Sequence, residues 1–356
     1  MSPALPVELT PLTQGVGFGA SALGELFRKV TPEDALLTLE AAWNTGTRYF
    51  DTSPWYGLGL SELRVGQFLR DKHRDDFVVS TKVGRVLTRP RGRTALPWRG
   101  GLRFDHHVDY SYDGIMRSHE DSLQRLGLER VDILYIHDLD EPNLGSPAAV
   151  EAGIMQLIHG GFRALEELRA EGAIAAFGAG VNERGMIRRL LQLADLDLML
   201  FALRYTIAEH DSIDDDMALC HEQGIGVVAA GVFNSGLYAT GAIPHATYNY
   251  RSPTPDEIER CEAIAEVCSR HGTALSTAAL QFPGFHPTVV GTVVGADRPE
   301  HVARSAAHYV EPVPQALWDE LRVRGLIRDD VPTTRTHEDA AGTRSSSSAA
   351  RPSERA

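Results

Sequence analysis

"QGVGFGAS", residues 14–21, is the stretch on which the fold turns. Over residues 15–20 it matches GxGxxG/A, the glycine pattern that seats a dinucleotide pyrophosphate on an open, doubly wound sheet. That pattern needs a strand before the glycines, a helix opening on them and an acid further along. Here the glycines lie inside the first apolar run, and "SALGELFRKV" (21–30) intervenes before the first clear helix start at Thr31. The stretch therefore reads as a glycine-rich first strand at the mouth of a closed sheet, not as a phosphate loop.

Seven further apolar runs follow it: "TRYFDT" (47–52), "FVVSTKVG" (77–84), "VDILYIHD" (131–138), "IAAFGAGVN" (174–182), "DLMLFALRY" (197–205), "IGVVAAGVF" (225–233) and "TVVGTVVGA" (288–296). They are nearly continuous in apolar residues, as parallel strands covered on both faces are. Helical patterns separate them. "TPEDALLTLEAAWNTG" opens on Thr31 as N-cap, with Asp34 three positions on, and stops at Gly46. "GGFRALEELRAEG" ends at Gly172, and "TPDEIERCEAIAEVCSRHG" has a cap, an acidic first turn, a basic last turn and a glycine stop. Eight strand–helix units predict an α/β chain folded as a (β/α)8 barrel over residues 1–328. Residues 85–112 form a long Pro-, Gly- and aromatic-containing loop after the third strand, and such loops are usually functional. Residues 329–356 end in "GTRSSSSAARPSERA", a polar low-complexity stretch expected to be a disordered tail.

The chain has 356 residues, 43% hydrophobic and 23% charged, with a formal net charge of −13. That charge argues against nucleic acid or an anionic membrane as partner. No apolar run is long enough to span a bilayer. The three cysteines, Cys220, Cys261 and Cys268, form no CxxC and no even framework. With an N-terminus unlike a signal peptide, they imply a reduced, cytoplasmic setting.

In such a barrel the reactive groups sit at the C-terminal strand ends. Asp51 ends the second strand and Tyr56 follows it; Lys82 is near the end of the third, and His137 at the end of the fourth. Alone, Asp51 reads as a turn residue, Lys82 as a charged strand terminus and His137 as a core histidine. Together they make a proton-transfer set. A lysine cation beside a phenol is expected to lower its pKa, an aspartate to orient the lysine, and a histidine to bond the reacting oxygen. No nucleophile elbow or strand-end cysteine is present. The matching chemistry is proton transfer coupled to hydride transfer with a nicotinamide. His106 and His107 lack metal-ligand spacing, so no metal is expected. Trp55, Trp98, Tyr110 and Tyr112 are either a substrate wall or caps on the core.

"YFDTSPWYG", "VVSTKVG", "SLQRLGLERVDILYIHD" and "VVGADRPEHV" resemble the aldo-keto reductases, over about Gly15 to Leu326. The resemblance implies that Tyr56 exchanges the proton, that Lys82 and Asp51 tune it and that His137 orients the substrate. "DYSYDGIMRSHEDSLQRLGL" (109–128), "HDLD" (137–140) and "ALRYT" (202–206) are similar to the D-threo-aldose (L-fucose) 1-dehydrogenases, pyridoxal 4-dehydrogenases and L-galactose dehydrogenases within that family. These oxidise a cyclic hemiacetal to a lactone. The implied partner is a sugar or pyridoxal-like small molecule, bound against Trp55, Trp98 and Tyr110, by a monomer or small homo-oligomer. The implied cofactor contacts are Gly19, Ala20, Ser21, Asn182, Gly231, Phe233, Ser235, Gly295, Asp297 and Arg298. The chain departs from the wider family at Gly180 and Val181, where Ser-Asn is usual, at Ala202 in place of glutamine, and at Ala230 in place of the stacking tyrosine, with Phe233 a candidate substitute. Gly295 and His301 stand where a phosphate-binding lysine and arginine are common. Asp297 is expected to repel a 2′-phosphate and Arg298 to attract one. NAD is the expected cofactor, with NADP the alternative. The competing readings are a generic NADPH aldehyde/ketone reductase and, outside enzymes, a cofactor-sensing regulatory subunit.

Overall fold

The computed structural model describes residues 6–13, 15–26, 28–91 and 97–334. Eight parallel strands close into a barrel: β1 (Val16–Gly19), β2 (Tyr49–Asp51), β3 (Val78–Val83), β6 (Ile133–His137), β7 (Ala176–Val181), β8 (Leu198–Ala202), β9 (Gly226–Ala230) and β10 (Val289–Gly295). Each pairs with its neighbours, and β10 pairs back onto β1 with Gly19 opposite Gly295. The helices lie outside, and a large cluster of buried side chains fills the layer between them and the outward faces of the strands. All eight apolar runs of the sequence are strands, although each strand is shorter than its run.

The helix signals hold. Thr31 Oγ1 accepts from Asp34 N at 3.0 Å at the start of the helix Pro32–Asn44. Thr254 and Glu257 form a reciprocal capping box at the start of Pro255–Arg270.

A smaller cluster fills the barrel's interior: Leu9, Leu12, Tyr49, Val78, Ile133, Tyr135, Ala176, Leu198, Leu200, Val228 and Val293. Leu9 and Leu12 come from a 3-10 turn, Val7–Thr13, that closes the bottom of the barrel. The crowding inside explains the first strand. A Cβ on Gly17 would lie 2.7 Å from the Tyr49 ring, and one on Gly19 would lie 2.9 Å from Val293 Cγ1. The glycines of β1 make room for neighbours rather than for a phosphate.

Two expectations change. Residues 85–112 are not an irregular loop: β4 (Arg85–Thr88) and β5 (Asp105–Val108) pair antiparallel, Arg85 opposite Val108, as a hairpin that extends β3 beyond the barrel. Nor does packing stop at residue 328. Val331 and Thr333 are buried, and Arg322 donates to Val331 O at 2.8 Å and to Thr333 Oγ1 at 2.7 Å. The rest of the expected tail, residues 335–356, lies outside the described residues.

On β7, a Cβ built on Gly178 would overlap the Leu198 carbonyl oxygen, whereas one on Gly180 meets nothing closer than 3.7 Å. Gly178→Ala should therefore destabilise the barrel by about 1–3 kcal/mol, while Gly180→Ala leaves stability nearly unchanged. Thermal melts of the two variants side by side check this, and equal melting temperatures would contradict it.

Candidate functional site

Side chains on a strand alternate between faces, so every second residue points into the barrel. The inward row of β2 is Tyr49, Asp51; that of β3 is Val78, Ser80, Lys82; that of β6 is Ile133, Tyr135, His137. Each row begins apolar and ends polar at the C-terminal mouth. Asp51, Lys82 and His137 are all buried there.

Lys82 Nζ donates to Asp51 Oδ2 at 2.7 Å and to Thr52 O at 2.8 Å. Ser80 Oγ donates to the other Asp51 oxygen at 2.7 Å and lies 3.0 Å from the Tyr49 hydroxyl, which is 3.3 Å from that of Tyr135. Burying such an ion pair costs several kcal/mol per ion unless its remaining hydrogen-bond capacity is met. Here a backbone carbonyl and a chain of hydroxyls meet it.

Tyr56 lies in the turn after β2, where Gly57, Leu58 and Gly59 all take left-handed φ (64°, 54° and 94°). That reversal returns the chain to Leu60, where the next helix starts, and leaves the Tyr56 ring over the mouth. Lys82 Nζ is 4.7 Å from the ring centre, the His137 ring is edge-on at 5.8 Å, and Trp98 is at 6.1 Å. The net shift of this phenol is upward, not downward. Burial, then the Asp51 and Asp138 carboxylates, hold Tyr56 well above the usual tyrosine range, with Arg85 partly opposing.

His137 is held well below its ordinary pKa by burial and by the Lys82 and Arg85 cations, so its imidazole is neutral. Nδ1 is 3.1 Å from Ser53 Oγ, which already accepts from Trp55 N at 3.0 Å. The Ser53 hydroxyl proton is thus free to be donated to Nδ1. With Ser53 donating, the ring proton sits on Nε2, which lies beside Asp138.

The aromatic wall divides. Trp55 and Trp98 meet edge-to-face at 5.6 Å beside Tyr56, and the buried Trp98 Nε1 has no partner among the described residues. Tyr110 is not part of the wall. It is fully buried behind His137, donating its hydroxyl to the His137 carbonyl at 2.6 Å. Tyr112 points elsewhere, to Glu167 at 2.6 Å.

The other expected contacts line the far side of the mouth. Gly19, Ala20 and Ser21 at the end of β1 face Gly295 at the end of β10, and a Cβ on Gly295 meets only Gly19 O at 3.5 Å and Ser21 Oγ at 3.9 Å. Beyond them, the helix Pro299–Val310 begins at Arg298 with no side-chain cap; Pro299 carries no N–H, and His301 N donates to Arg298 O at 3.2 Å. Asp297 is not an isolated negative charge. Arg28 binds both its side chain and, at 2.8 Å, its carbonyl, and His301 Nδ1 is 2.8 Å away. Although burial opposes it, Arg28 holds the Asp297 carboxyl below its usual range. Gly231, Phe233 and Ser235 follow β9, where Ser235 Oγ accepts from Tyr250 N at 3.0 Å. Asn182 ends β7 and reaches Asp138 rather than this side, its Nδ2 being 3.5 Å from Asp138 Oδ1.

Sequence reasoning missed several residues. Ser80 and Ser53 orient Asp51 and His137. Arg28 neutralises Asp297. Arg85 and Asp138 form a second buried ion pair at 3.0 Å. Tyr250 is 60% exposed on a left-handed backbone (φ 65°). Arg85 was legible as a cation directly after "STKVG"; the others had no local signal. Beside the mouth lies a cavity of about 930 Å³ lined by Arg184, Arg204, Glu209 and Arg328 among others. These arginines are paired with Asp215, Glu209 and Asp214, while two further lining arginines, Arg260 and Arg322, each have a buried Nε with no partner among the described residues. No group of His, Cys, Asp and Glu among the described residues is arranged to hold a metal, and no described helix is long and apolar enough to cross a membrane.

Residues 15–322 match a model of the Aldo/keto reductase family. The chain is 39% identical over 323 residues to the pyridoxal 4-dehydrogenase of Microbacterium luteolum, covering 88% of this chain and 94% of that protein. It is 40% identical over 325 residues to the D-threo-aldose 1-dehydrogenase of a Pseudomonas species, with the same coverage. The L-galactose dehydrogenase of Arabidopsis thaliana is 27% identical over 301 residues, 83% of this chain and 84% of that one. Among solved structures, the glycerol dehydrogenase of Gluconobacter oxydans superimposes with a TM-score of 0.67 at 22% identity, covering 90% and 95% of the two chains, which speaks to the fold.

A buried phenol with a raised pKa keeps its proton when free tyrosines lose theirs, near about pH 10. Titrating the free protein by phenolate absorbance should therefore give the same curve for wild type and Tyr56→Phe up to that pH. Tyr49 and Tyr135 are raised as well, first by burial. The folded state thus holds protons that the unfolded chain releases, and stability should fall as pH rises through about 10. A tyrosine that titrates below this pH in wild type and vanishes in Tyr56→Phe would contradict the first expectation.

Proposed function

The chain belongs to the aldo/keto reductase family and is an NAD(P)-dependent oxidoreductase, and from that premise we propose that it oxidises the hemiacetal carbon of a cyclic aldose, of the L-fucose or D-threo-aldose type, to a lactone. The observation that carries the reading is the convergence of the Tyr56 phenol, the neutral His137 imidazole and the Lys82–Asp51 pair on one point of the mouth.

In the ring form of an aldose, the anomeric carbon already bears both a hydroxyl and a hydrogen. A bound nicotinamide supplies the acceptor for that hydrogen as hydride. In this reading Tyr56 takes the hydroxyl proton. The Lys82 cation, held at 4.7 Å from the ring centre by Asp51, is the nearest charge favouring the phenolate that must form. His137 Nε2–H bonds the same oxygen and fixes which face of the ring is presented. One C–H and one O–H bond are broken, and a C=O bond forms, giving the lactone without a hydrated aldehyde. Pyridoxal, which also closes to a hemiacetal, fits the same chemistry, and the similarity to a pyridoxal 4-dehydrogenase supports it as second substrate class. Reduction of an aldehyde or ketone is the other direction of the same set, and the strongly protonated Tyr56 favours it as the second reading.

The glycines at 19 and 295, Ser21 and Arg298 are suited to hold the pyrophosphate and adenosine end of the cofactor. We read this end as built for NAD, because Gly295 and His301 occupy the places of phosphate-binding cations and Arg28 is consumed by Asp297. Asp297→Ser should then free Arg28 and raise the ratio of kcat/KM for NADP to that for NAD by roughly tenfold, about 1.4 kcal/mol. An unchanged ratio would place the 2′-position elsewhere.

The decisive assay offers L-fucose, D-arabinose, L-galactose and pyridoxal with NAD and with NADP, and identifies the earliest product by NMR. Lactone should precede open-chain acid. Tyr56→Phe should lose roughly 10²–10⁴ of turnover while still binding cofactor. Acid before lactone would overturn the hemiacetal reading.

A further inference from the structure

Tyr110 has the look of a binding-site aromatic in the sequence and is not one in the structure, and the proposed chemistry leaves it without a role. Its surroundings are nonetheless shaped to it. The ring is fully buried, between two glycines that leave room for it. A Cβ on Gly84, between β3 and β4, would lie 2.0 Å from Tyr110 Cε1, and one on Gly153, in the helix Pro147–Gln156, would lie 3.0 Å from Cδ2. A Cβ on Gly161, in the wide turn Leu157–Gly161 that follows, would lie 2.2 Å from the Tyr110 carbonyl oxygen. The main chain is held as well: Tyr110 N donates to Gln156 Oε1 at 2.9 Å, and Asp109 N to Gly84 O at 3.0 Å. Ring and backbone are fixed together, so the hydroxyl has one direction. It donates to the His137 carbonyl, 2.6 Å away.

That carbonyl belongs to the peptide on which β6 ends. The amide of the same peptide is bonded too, Asp138 N donating to Gly180 O at 3.0 Å. Just after it, Asp138 takes a left-handed φ of 52°, which a residue with a side chain adopts only at a cost in free energy. Turning the 137–138 peptide over would return Asp138 to the extended region. It would also take the carbonyl off Tyr110 and the amide off Gly180. The turn as it stands puts Asp138 Oδ2 3.4 Å from His137 Nε2, on an imidazole whose Nδ1 is 3.1 Å from Ser53 Oγ. The Tyr110 hydroxyl therefore opposes the rearrangement that the local strain favours, directly behind the imidazole.

We infer that Tyr110 is a positioning residue for His137: its hydroxyl locks the His137–Asp138 peptide, and through it the direction in which Nε2–H meets the reacting oxygen. The inference rests on the reading in which His137 fixes the face of the sugar ring that is presented. It makes selectivity between anomers, rather than affinity for the sugar, the property that Tyr110 controls.

Tyr110→Phe keeps the ring in its slot and removes only the hydroxyl. With freshly dissolved α- and β-L-fucose, the ratio of kcat/KM for the preferred anomer to that for the other should fall by roughly 3- to 10-fold, the worth of one hydrogen bond. The loss should lie in kcat, with the Kd for NAD unchanged. In the free protein, amide hydrogen exchange followed by NMR should quicken at Asp138 by a similar factor and stay unchanged at Tyr135, in the middle of β6. Both readouts must move. A shift in only one of them, equal losses on the two anomers, or a lower melting temperature with both readouts as in wild type would show that Tyr110 merely fills its slot, and would overturn the inference. If Tyr110→Phe does not fold, Gln156→Leu decides: it frees the Tyr110 amide that aims the hydroxyl, and it must move both readouts in the same direction or the inference is wrong. If the wild type oxidises neither anomer, the hemiacetal reading fails and the exchange measurement decides alone. Faster exchange at Asp138 in Tyr110→Phe then upholds the lock, and unchanged exchange overturns it as well.

Discussion

A lysine ammonium with 1% of its surface exposed is the constraint around which this barrel is arranged. Nothing in an apolar interior accommodates such a charge by default, because the desolvation cost amounts to several kcal/mol. The barrel meets it with Asp51 on one adjacent strand, a backbone carbonyl at Thr52, and a hydroxyl chain through Ser80, Tyr49 and Tyr135. On the other side, Gly180 borders the lysine stem without crowding it, its hypothetical Cβ lying 3.7 Å from Lys82 Cε. Two layers of the barrel interior are therefore chosen for a residue in the third. Tyr49 in turn forces glycine at position 17 of the neighbouring strand, so the constraint extends into the stretch that looked like a phosphate loop.

The same pairing decides the proton chemistry. In isolation a lysine beside a phenol acidifies it. Here the carboxylate is 2.7 Å from Nζ whereas the phenol ring centre is 4.7 Å away, and Asp51 itself raises the phenol. Burial and a second carboxylate, Asp138, then dominate and hold the proton on Tyr56. The free site is thus poised as a proton donor, with the neutral His137 a directional hydrogen bond rather than a second charge. Uphill loss of that proton is part of any oxidation the site performs.

The fold and the polar cluster at its mouth were legible because both are short-range patterns. Apolar runs alternate with capped helices, and the polar residues that interrupt those runs, Asp51, Lys82 and His137, do so at the strand ends that a parallel barrel gathers. What escaped the sequence depends on pairs that only closure creates. Arg28 and Asp297 are 269 residues apart, and neither has a local sign of the other. Tyr110 shares the composition of a binding-site aromatic, yet its loop folds beneath His137 and buries it. The β4–β5 hairpin was hidden because "RVLT" and "DHHV" are short, polar at their ends and separated by a Pro-, Arg- and Gly-rich span. The direction of the Tyr56 shift was missed because burial of the phenol, its largest cause, has no local sign in the sequence.

The mouth is thereby split into two arcs with opposite demands on side-chain size. From β9 through β10 to β1 the strand ends carry Ala230, Gly231, Gly295 and Gly19, and the polar groups stand back in Arg28 and Asp297. From β2 through β3 to β6 the strand ends carry buried, ionisable side chains packed to hydrogen-bonding distance. A flat, phosphate-bearing cofactor needs the first kind of surface, because bound backbone must come close; proton transfer needs the second, because its groups must not move. Arg85 reaches the second arc from a hairpin outside the barrel, and Tyr250 approaches it from the loop after β9, so substrate preference can change there while the Lys82–Asp51 pair stays fixed.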